Sequence, residues 1–210
     1  MDKDGNLKVL ILNGSPRPDS NTGAVLSVVE KIFHENGILT ETLCVPSDTE
    51  GCRGCGACSA TGRCVIEDGV NRAAALFEEC DGLLIGSPVY FSGISGSVKG
   101  FLDRLCHASL RDRRAKVGGG IVCVRRGGGT AALDALNHYL LYAGMCLAGS
   151  TYWPMVYGAA GGEALQDAEG MNSAVNLANN MVFMLRSFAL GREKYGLPAL
   201  EKKVKMNFIR

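Results

Sequence analysis

Short apolar runs that alternate with longer helical patterns restrict the fold of this chain more than any other feature of its sequence. Runs of aliphatic and β-branched residues bounded by turn residues predict five strands, at positions 8–13, 38–45, 82–87, 119–124 and 150–158. Apolar residues at helical spacing predict helices at about 22–36, 70–80, 97–106, 131–143 and 172–190. Strands joined through helices favour a parallel sheet covered on both faces. The sequence therefore predicts an α/β fold with a mainly parallel five-stranded sheet.

The balance of charged and apolar residues limits the class of protein. A chain of 210 residues with 47% hydrophobic content is enough for one domain, 1–210, with a substantial core. It has 22 Lys and Arg residues and 21 Asp and Glu residues, so its net charge is only +1 and does not favour binding of a polyanion. The sequence shows no secretory leader and no uninterrupted run of membrane-spanning length. We therefore expect a cytoplasmic protein that binds neither nucleic acids nor membranes.

The loop after the first predicted strand, NGSPRPDSNTG at 13–23, has the composition of an anion site. Hydroxyl groups of Ser15, Ser20 and Thr22 lie where the chain enters a helix, and Arg17 adds a cation. Free N–H groups and the dipole at a helix N-terminus favour negative charge. The loop lacks the GxxxxGK[ST] pattern, and with it the lysine that holds a nucleoside triphosphate, so it predicts a monophosphate site. The alternative is that Ser20 only caps the helix within an ordinary turn.

The loop after the third predicted strand, GSPVYFSGISG at 86–96, places apolar and aromatic side chains where a buried strand ends. Val89, Tyr90 and Phe91 are suited to contact a flat heteroaromatic ring. Aromatic residues in this position more often belong to the core, so the loop alone is a weak signal.

The loop after the fourth predicted strand, VRRGGGTAALDAL at 124–136, fits the loose GxGxx[GA] pattern of dinucleotide sites through Gly127, Gly129 and Ala132. That pattern also requires an acidic residue about twenty positions later to hold a ribose. The chain has no Asp or Glu between Asp134 and Glu163. We therefore interpret the glycines as allowing close backbone approach to a ligand that the other loops hold.

A compact cysteine motif, CRGCGACSATGRC, follows the second predicted strand. Its spacing is C-x2-C-x2-C-x5-C, and its thiols belong to Cys52, Cys55, Cys58 and Cys64. A reducing compartment and an odd total of nine cysteines argue against disulfides. Ferredoxin runs are similar through the first three cysteines only, and structural zinc sites usually split their ligands into two separated pairs. From the residues alone, an iron-sulfur cluster, zinc and free thiols all remain open.

Taken together, the loops resemble those of a known family. The stretches ILNGSPRPDSNT, GLLIGSPVYFSGISGSVKGFLDR, CVRRGGGT and TYWPMVYGAAGGEALQDAEG, in this order, are similar to the flavodoxin-like FMN oxidoreductases. Within that group, the NADPH-dependent FMN reductases and the iron-sulfur flavoproteins are the relevant families. The resemblance covers nearly the whole chain. It implies a flavodoxin-like doubly wound sheet of strand order 2-1-3-4-5, with FMN bound noncovalently in a homodimer or homotetramer.

The resemblance also implies roles for individual residues. The FMN phosphate would be held by Ser15, Arg17, Ser20, Asn21 and Thr22. The isoalloxazine ring would lie against Pro88, Val89, Tyr90, Phe91 and Ser92. Its other side would be closed by Arg125, Gly127, Gly128, Gly129 and Thr130, with Arg125 placed to stabilise negative charge on the reduced ring. No residue is assigned as a catalytic acid, base or nucleophile, because the cofactor carries the hydride and electron chemistry.

For the cysteine motif, the resemblance to iron-sulfur flavoproteins implies a [4Fe-4S] cluster held by Cys52, Cys55, Cys58 and Cys64. The implied function is an FMN-dependent oxidoreductase. It would take electrons from NADPH, NADH or another reduced donor and pass them to a small-molecule acceptor or a protein redox partner. The alternative is a noncatalytic flavodoxin-like electron carrier or an FMN-binding regulatory module. The sequence assigns no site for a 2'-phosphate, so it does not choose between NADPH and NADH.

Overall fold

The structure is a computed structural model that describes residues 6–108, 113–201 and 204. The strands within these residues are β1 (Lys8–Asn13), β2 (Leu39–Cys44), β3 (Gly82–Tyr90), β4 (Gly93–Ile94), β5 (Val117–Val124), β6 (Cys146–Leu147) and β7 (Met155–Tyr157). The α-helices are α1 (Asn21–Glu35), α2 (Cys58–Thr61), α3 (Gly69–Glu79), α4 (Gly96–Ala108), α5 (Gly129–Tyr142) and α6 (Ala168–Tyr195). A short 3-10 helix spans Glu163–Gln166.

The strands form one sheet in the order β2-β1-β3-β5-β6. Every pairing along this order is parallel, while β4 pairs antiparallel with the end of β3. The predicted order 2-1-3-4-5 is confirmed, because β5 is the fourth predicted strand and both β6 and β7 occupy the fifth position beside it.

The fifth predicted strand, 150–158, is wrong as one continuous element. Two short strands, β6 and β7, pair with β5 instead, and an irregular segment separates them. Pro154 lies in that segment and has no N–H to donate to a ladder, although its carbonyl accepts a hydrogen bond from Val122 N at 3.0 Å. The neighbouring Tyr152 and Trp153 are each 55% exposed, so no buried face holds the segment in register.

Alternation along the strands divides the core into two layers. Leu10 and Leu12 of β1 pack with residues of α3, α4 and α5, whereas Val9 and Ile11 pack with residues of α1 and α6. Successive side chains of a strand point to opposite faces, so each buried strand supplies both layers. Helices therefore cover both faces of the sheet, as predicted. Among the described residues, no helix is both long enough and apolar enough to cross a bilayer.

The carboxyl ends of β1, β3 and β5 lie side by side, so the loops that follow them meet at one edge of the sheet. Gly14, just after β1, donates its N–H to the carbonyl of Gly86 at 2.8 Å. A Cβ atom at Gly14 would lie 2.1 Å from Cγ2 of Val98 in α4, so only glycine permits this close approach. The first and second predicted loops are thus in direct backbone contact.

Candidate functional site

The N-terminus of α1 offers free backbone donors at this edge of the sheet. Ser20 is the N-cap of the helix, and its Oγ accepts a hydrogen bond from Gly23 N at 3.0 Å. Among the described residues, the N–H groups of Asn21 and Thr22 have no protein acceptor. The capping role of Ser20 and an anion site are therefore compatible, because the cap side chain takes one donor and leaves others open.

The loop before α1 adds a cation to these donors. The N–H of Ser15 donates to Asn13 Oδ1 at 3.1 Å, and Ser15 Oγ accepts from Arg17 N at 3.3 Å, which folds the loop back on itself. Arg17 is exposed, and within the described part of the chain its guanidinium has no ion-pair partner. The loop thus presents a free positive charge beside the helix N-terminus.

These groups border a cavity of about 230 Å³, which we call the strand-end cavity. Its lining consists of Ser15, Arg17, Asp19, Ser20, Asn21, Thr22, Pro88, Val89, Tyr90, Cys123, Arg125, Gly158, Ala159 and Gly161. The structure therefore brings together all five residues predicted for a phosphate, three of the five predicted for a ring, and Arg125. The contribution of 158–161 was missed, because that Gly-rich connection carries no side-chain signal for a ligand.

A tight hairpin stands beside this cavity. β3 and β4 pair antiparallel, and the two residues between them, Phe91 and Ser92, have φ angles of 48° and 61°. Positive φ at both central positions is the geometry of a type I′ turn, which normally uses Asn-Gly. A non-glycine residue held there costs about 1–3 kcal/mol. The turn leaves Phe91 fully exposed and Tyr90 41% exposed, so aromatic surface without protein cover borders the cavity.

The third predicted loop contacts this hairpin. Gly128 has φ of 87°, and a Cβ atom there would lie 2.6 Å from Cα of Ser92. The close approach in this structure is therefore to the hairpin, whereas the glycines of this loop were predicted to approach a ligand. Gly127 and Thr130 are exposed on the same loop, and Gly129 is buried against Sδ of Met155, where a Cβ atom would come within 2.7 Å.

Two buried serines that sequence reasoning missed tie the loops together. Ser95 donates its hydroxyl to the carbonyl of Gly14 at 3.2 Å, and Ser95 N donates to Ser87 Oγ at 3.2 Å. Ser87 in turn donates its hydroxyl to the carbonyl of Pro88 at 2.8 Å. These bonds fix the end of β3 and the start of α4 relative to the loop after β1.

The side chain of Asn21 holds the segment that follows β7, part of which lines the cavity. Its Oδ1 accepts a hydrogen bond from Ala164 N at 3.0 Å across 143 positions of sequence. Gly161 passes so close to the first loop that a Cβ atom would lie 2.5 Å from the carbonyl oxygen of Asp19. The Asn21 side chain therefore shapes the cavity, while its backbone N–H remains open.

A buried, uncharged thiol, that of Cys123, lines the strand-end cavity. Burial raises the pKa of Cys123 to about 12, and the adjacent Thr22 hydroxyl offsets this only slightly. The side chain of Thr22 is 1% exposed, so its open donor toward the cavity is the backbone N–H. Cys123 is a buried residue of β5 that also lines the cavity.

A second cavity, of about 190 Å³, contains the cysteine motif, and we call it the cysteine cavity. It is lined by Cys52, Arg53, Gly54, Cys55, Gly56, Cys58, Ser59, Cys64, Val65, Ile66, Arg104, His107 and Ala108. All four predicted ligands thus face one space. Gly54, Gly56 and Gly62 have φ angles of 64°, 74° and 67°, a region open to glycine at no steric cost, and they turn the backbone around the cavity.

A buried cation from α4 closes the cysteine cavity. Arg104 is 1% exposed, and both of its terminal nitrogens donate to the carboxylate of Asp68, at 2.6 and 2.7 Å. Its Nε donates to Sγ of Cys64 at 3.3 Å. Burial opposes the charge, but hydrogen bonds to Asp68 and Cys64 hold the pKa of Arg104 above its ordinary value. No local sequence pattern predicts this contact, because Arg104 and Cys64 are separated by 40 positions.

Asn71 of α3 holds Cys64 from the other side. Its Oδ1 accepts from Cys64 N at 3.0 Å, and its Nδ2 donates to the carbonyl of Cys64 at 3.0 Å and to that of Ile66 at 3.3 Å. Cys64 is therefore the best-supported thiol of the four, with contacts from two helices.

All nine cysteines lie in the described residues, and each is a free thiol. Within those residues, no three His, Cys, Asp or Glu side chains are close enough together to hold a single metal ion. A four-iron cubane distributes its four thiolate ligands over four irons, so its ligand sulfurs are spaced more widely than those around one ion. The donor set, four thiols with no carboxylate among them, is the set that such a cluster requires.

Comparisons with known proteins show the family of this chain. The profile of a family described as NADPH-dependent FMN reductase matches residues 7–160. An iron-sulfur flavoprotein of Methanocaldococcus jannaschii is 30% identical over 189 residues, which cover 86% of this chain and 98% of that protein. An iron-sulfur flavoprotein of Methanosarcina thermophila is 24% identical over 193 residues, 90% of this chain and 100% of that protein.

Among solved structures, RosB with a bound 8-demethyl-8-formylriboflavin-5'-phosphate intermediate superposes with a TM-score of 0.67. The alignment covers 97% of this chain and 94% of that one at 20% identity. At this identity the likeness bears on the fold alone, and it supports the flavodoxin-like architecture.

Proposed function

The chain belongs to the NADPH-dependent FMN reductase family, and on that premise we propose that it uses FMN to pass electrons from a reduced donor to a small-molecule acceptor or a protein redox partner. NADPH and NADH are the proposed donors. In this proposal the strand-end cavity holds FMN, and the cysteine cavity holds a [4Fe-4S] cluster. FMN supplies hydride and electron transfer when bound, and the protein binds and orients it.

The observation that carries the FMN proposal is the convergence of two unlike surfaces on one cavity. One part of the lining of the strand-end cavity has the open N–H groups of α1 and the free cation of Arg17, which suit a phosphate monoester. Another part consists of Pro88, Val89 and Tyr90, which suit a flat ring. A ligand with a phosphate at one end and an aromatic system at the other fits both.

Charges near the ring position support electron transfer rather than hydrolysis. Arg125 lines the cavity as an exposed cation, which would stabilise negative charge on a reduced ring. Cys123 in the lining is neutral at physiological pH, because burial raises its pKa to about 12. Among the residues that line the cavity, Asp19 is the one carboxylate, and no histidine lies beside it as a second proton carrier.

The cluster proposal rests on the donor set and on the relatives' names. Four thiols of one short segment line the cysteine cavity, and proteins that match nearly the whole chain are named iron-sulfur flavoproteins. A flavin accepts two electrons, whereas an iron-sulfur cluster exchanges single electrons. A cluster held by Cys52, Cys55, Cys58 and Cys64 would accept electrons one at a time from the reduced flavin.

We further propose a homodimer or homotetramer. Tyr152 and Trp153, each 55% exposed, contact each other in a tilted arrangement with ring centroids 4.8 Å apart on the surface next to β7. Aromatic side chains are enriched at protein interfaces, which supports burial of this pair between subunits. Sedimentation or light scattering of the purified protein gives the assembly size directly.

Anaerobic purification tests the proposed function. We expect one FMN per chain, about four irons and about four sulfides, and steady-state oxidation of NADPH or NADH when a quinone or free flavin is added. FMN without turnover with any donor would favour a noncatalytic electron carrier or a regulatory module. FMN without iron and sulfide, even after reconstitution, would leave zinc or free thiols in the cysteine cavity.

A further inference from the structure

Every donor of the Arg104 guanidinium is used. Besides the bonds to Asp68 and Cys64, Nη1 donates to the carbonyl of Glu50 at 3.3 Å, and Nη2 donates to the carbonyl of Ile66 at 3.1 Å. A guanidinium has five N–H groups, and these contacts account for all of them. A buried cation satisfied in this way has one defined position.

The acceptors of Arg104 lie on both sides of the cysteine motif. Glu50 precedes Cys52, whereas Ile66 and Asp68 follow Cys64. Gly100, one helical turn earlier in α4, brings the helix against the same segment, since a Cβ atom there would lie 3.1 Å from the carbonyl oxygen of Glu50. Helix α4 thus closes the loop at its start and its end.

The two parallel hydrogen bonds between Arg104 and Asp68 leave the Nε–H of Arg104 to donate to the sulfur of Cys64. Both carboxylate oxygens of Asp68 pair with the terminal nitrogens, so the cation is balanced locally. The remaining N–H, on Nε, faces Sγ of Cys64. Asp68 is also the N-cap of α3, where Oδ1 accepts from Val70 N at 3.0 Å.

We propose that Arg104 is a positioning residue that orients Cys64 as a ligand and sets the reduction potential of the cluster through its N–H···S bond. This inference rests on the proposed function. Reduction adds one electron to the cluster and moves no proton on Arg104, which stays charged. Because an N–H donor stabilises the more negative of two states, Arg104 raises the potential. Asp68, by balancing the cation, limits that rise.

Three variants separate this role from a structural one. Arg104→Gln removes the charge and leaves Asp68 uncompensated, so we expect a more negative cluster potential. Asp68→Asn leaves Arg104 uncompensated, so we expect a more positive potential, while the Asn side chain still caps α3. Arg63→Gln is the matched control. Arg63 adjoins Cys64 in sequence but pairs with Glu67 on the surface, and both side chains are more than 60% exposed. The cluster potential of Arg63→Gln should therefore match that of the parent protein.

The measurement is an EPR-monitored redox titration of anaerobically purified protein, with the FMN potential of the same samples as an internal reference. Loosening of the loop alone would not shift the two variants in opposite directions. Shifts of equal sign, or none, overturn the inference. If Arg104→Gln loses its cluster, the potential of Asp68→Asn decides: a more positive value supports the inference, and any other value overturns it. Loss of the cluster from both variants also overturns the inference. A parent protein without iron and sulfide refutes the proposed cluster as well, whereas a parent with a cluster and unmoved potentials refutes this inference alone.

Discussion

The strand-end cavity and the cysteine cavity are assembled in different ways. The strand-end cavity is bordered by loops from three parallel strands and by the segment before α6, so its walls come from four separate parts of the chain. The cysteine cavity is built mostly from one segment between β2 and α3, with α4 as its only other described wall. The first shape follows from the order of strands, and the second from local turns plus one helix.

This difference determines which kinds of change each cavity tolerates. The loops around the strand-end cavity are joined by backbone contact, as between Gly14 and Gly86, and also by side-chain bonds from Ser95 and Asn21. The cysteine motif is tied to α3 and α4 by side-chain bonds from Asn71 and Arg104. A single side-chain substitution should therefore disable the cysteine cavity more readily, because backbone contact also holds the strand-end loops.

The strongest test of that contrast is Cys64→Ala. We expect iron and sulfide to fall from about four per chain to near zero, because a cubane loses one of its four protein ligands. FMN content should stay at one per chain, since no residue of the cysteine motif lines the strand-end cavity. Metal analysis and the visible spectrum report both.

The control for that variant is Cys146→Ala, at an exposed thiol of β6. Cys123 is unsuitable as a control, because it lines the strand-end cavity. Loss of FMN together with iron in Cys64→Ala would contradict the independence of the two cavities.

The cysteines of the two cavities should also differ in reactivity. Burial raises the pKa of Cys123 to about 12, so its thiolate becomes abundant only as the pH rises toward that value. At pH 8 its thiolate fraction is about a thousandfold lower than that of an ordinary thiol. In cluster-free protein, iodoacetamide should label the exposed Cys52 and Cys55 rapidly and Cys123 only after unfolding. Mass spectrometry of the peptides measures this, and equal labelling rates would contradict it.

A smaller effect is expected from Arg17→Ala. Losing one charge-assisted hydrogen bond at an exposed position should weaken FMN binding about 10-fold. Riboflavin lacks the phosphate, so it should bind the parent more weakly than FMN does and should bind Arg17→Ala and the parent equally. Fluorescence titration of both ligands gives the comparison. An equal loss of affinity for FMN and for riboflavin would show that Arg17 does not contact the phosphate.

The smallest effect is expected in the hairpin turn. Replacing Phe91 and Ser92 together by Asn and Gly relieves positive φ at both positions, and we expect the free energy of unfolding to rise by about 1–2 kcal/mol. FMN affinity should fall if Phe91 contacts the ring. Ser92→Gly alone is the comparison variant, because it should stabilise the protein while it keeps the Phe91 ring. Denaturant unfolding measures the stability, and a decrease in both variants would contradict the strain.

Much of the fold could be predicted from the sequence, because the central strands are fully buried. The apolar run at 8–13 matches β1 residue for residue, and the sequence also predicts the loops after β1, β3 and β5. The split of the fifth strand could not be predicted, since Met155 and its neighbours form a strand only by pairing with β5. Pro154, which has no N–H to donate to a ladder, argues against a continuous strand at 150–158, but the prediction followed the apolar pattern instead.

The candidate site could be predicted less completely, because several of its residues have two roles. Ser20 and Asn21 were assigned to a phosphate, yet their side chains cap α1 and pin Ala164. Arg104 falls inside a helical pattern, where an arginine normally indicates an exposed face. Its partner Asp68 is 36 positions away, and no local pattern relates the two.

The cysteine segment takes no part in the ladders of the sheet, and this has a consequence for maturation. Side-chain bonds from α3 and α4 are what hold it, so it is expected to open as a local cooperative unit at less free energy than the sheet requires. Folding of the sheet and insertion of the cluster can then be separate events. The sheet can form first, and iron and sulfide can be delivered afterwards to a segment that opens and recloses without unfolding its scaffold.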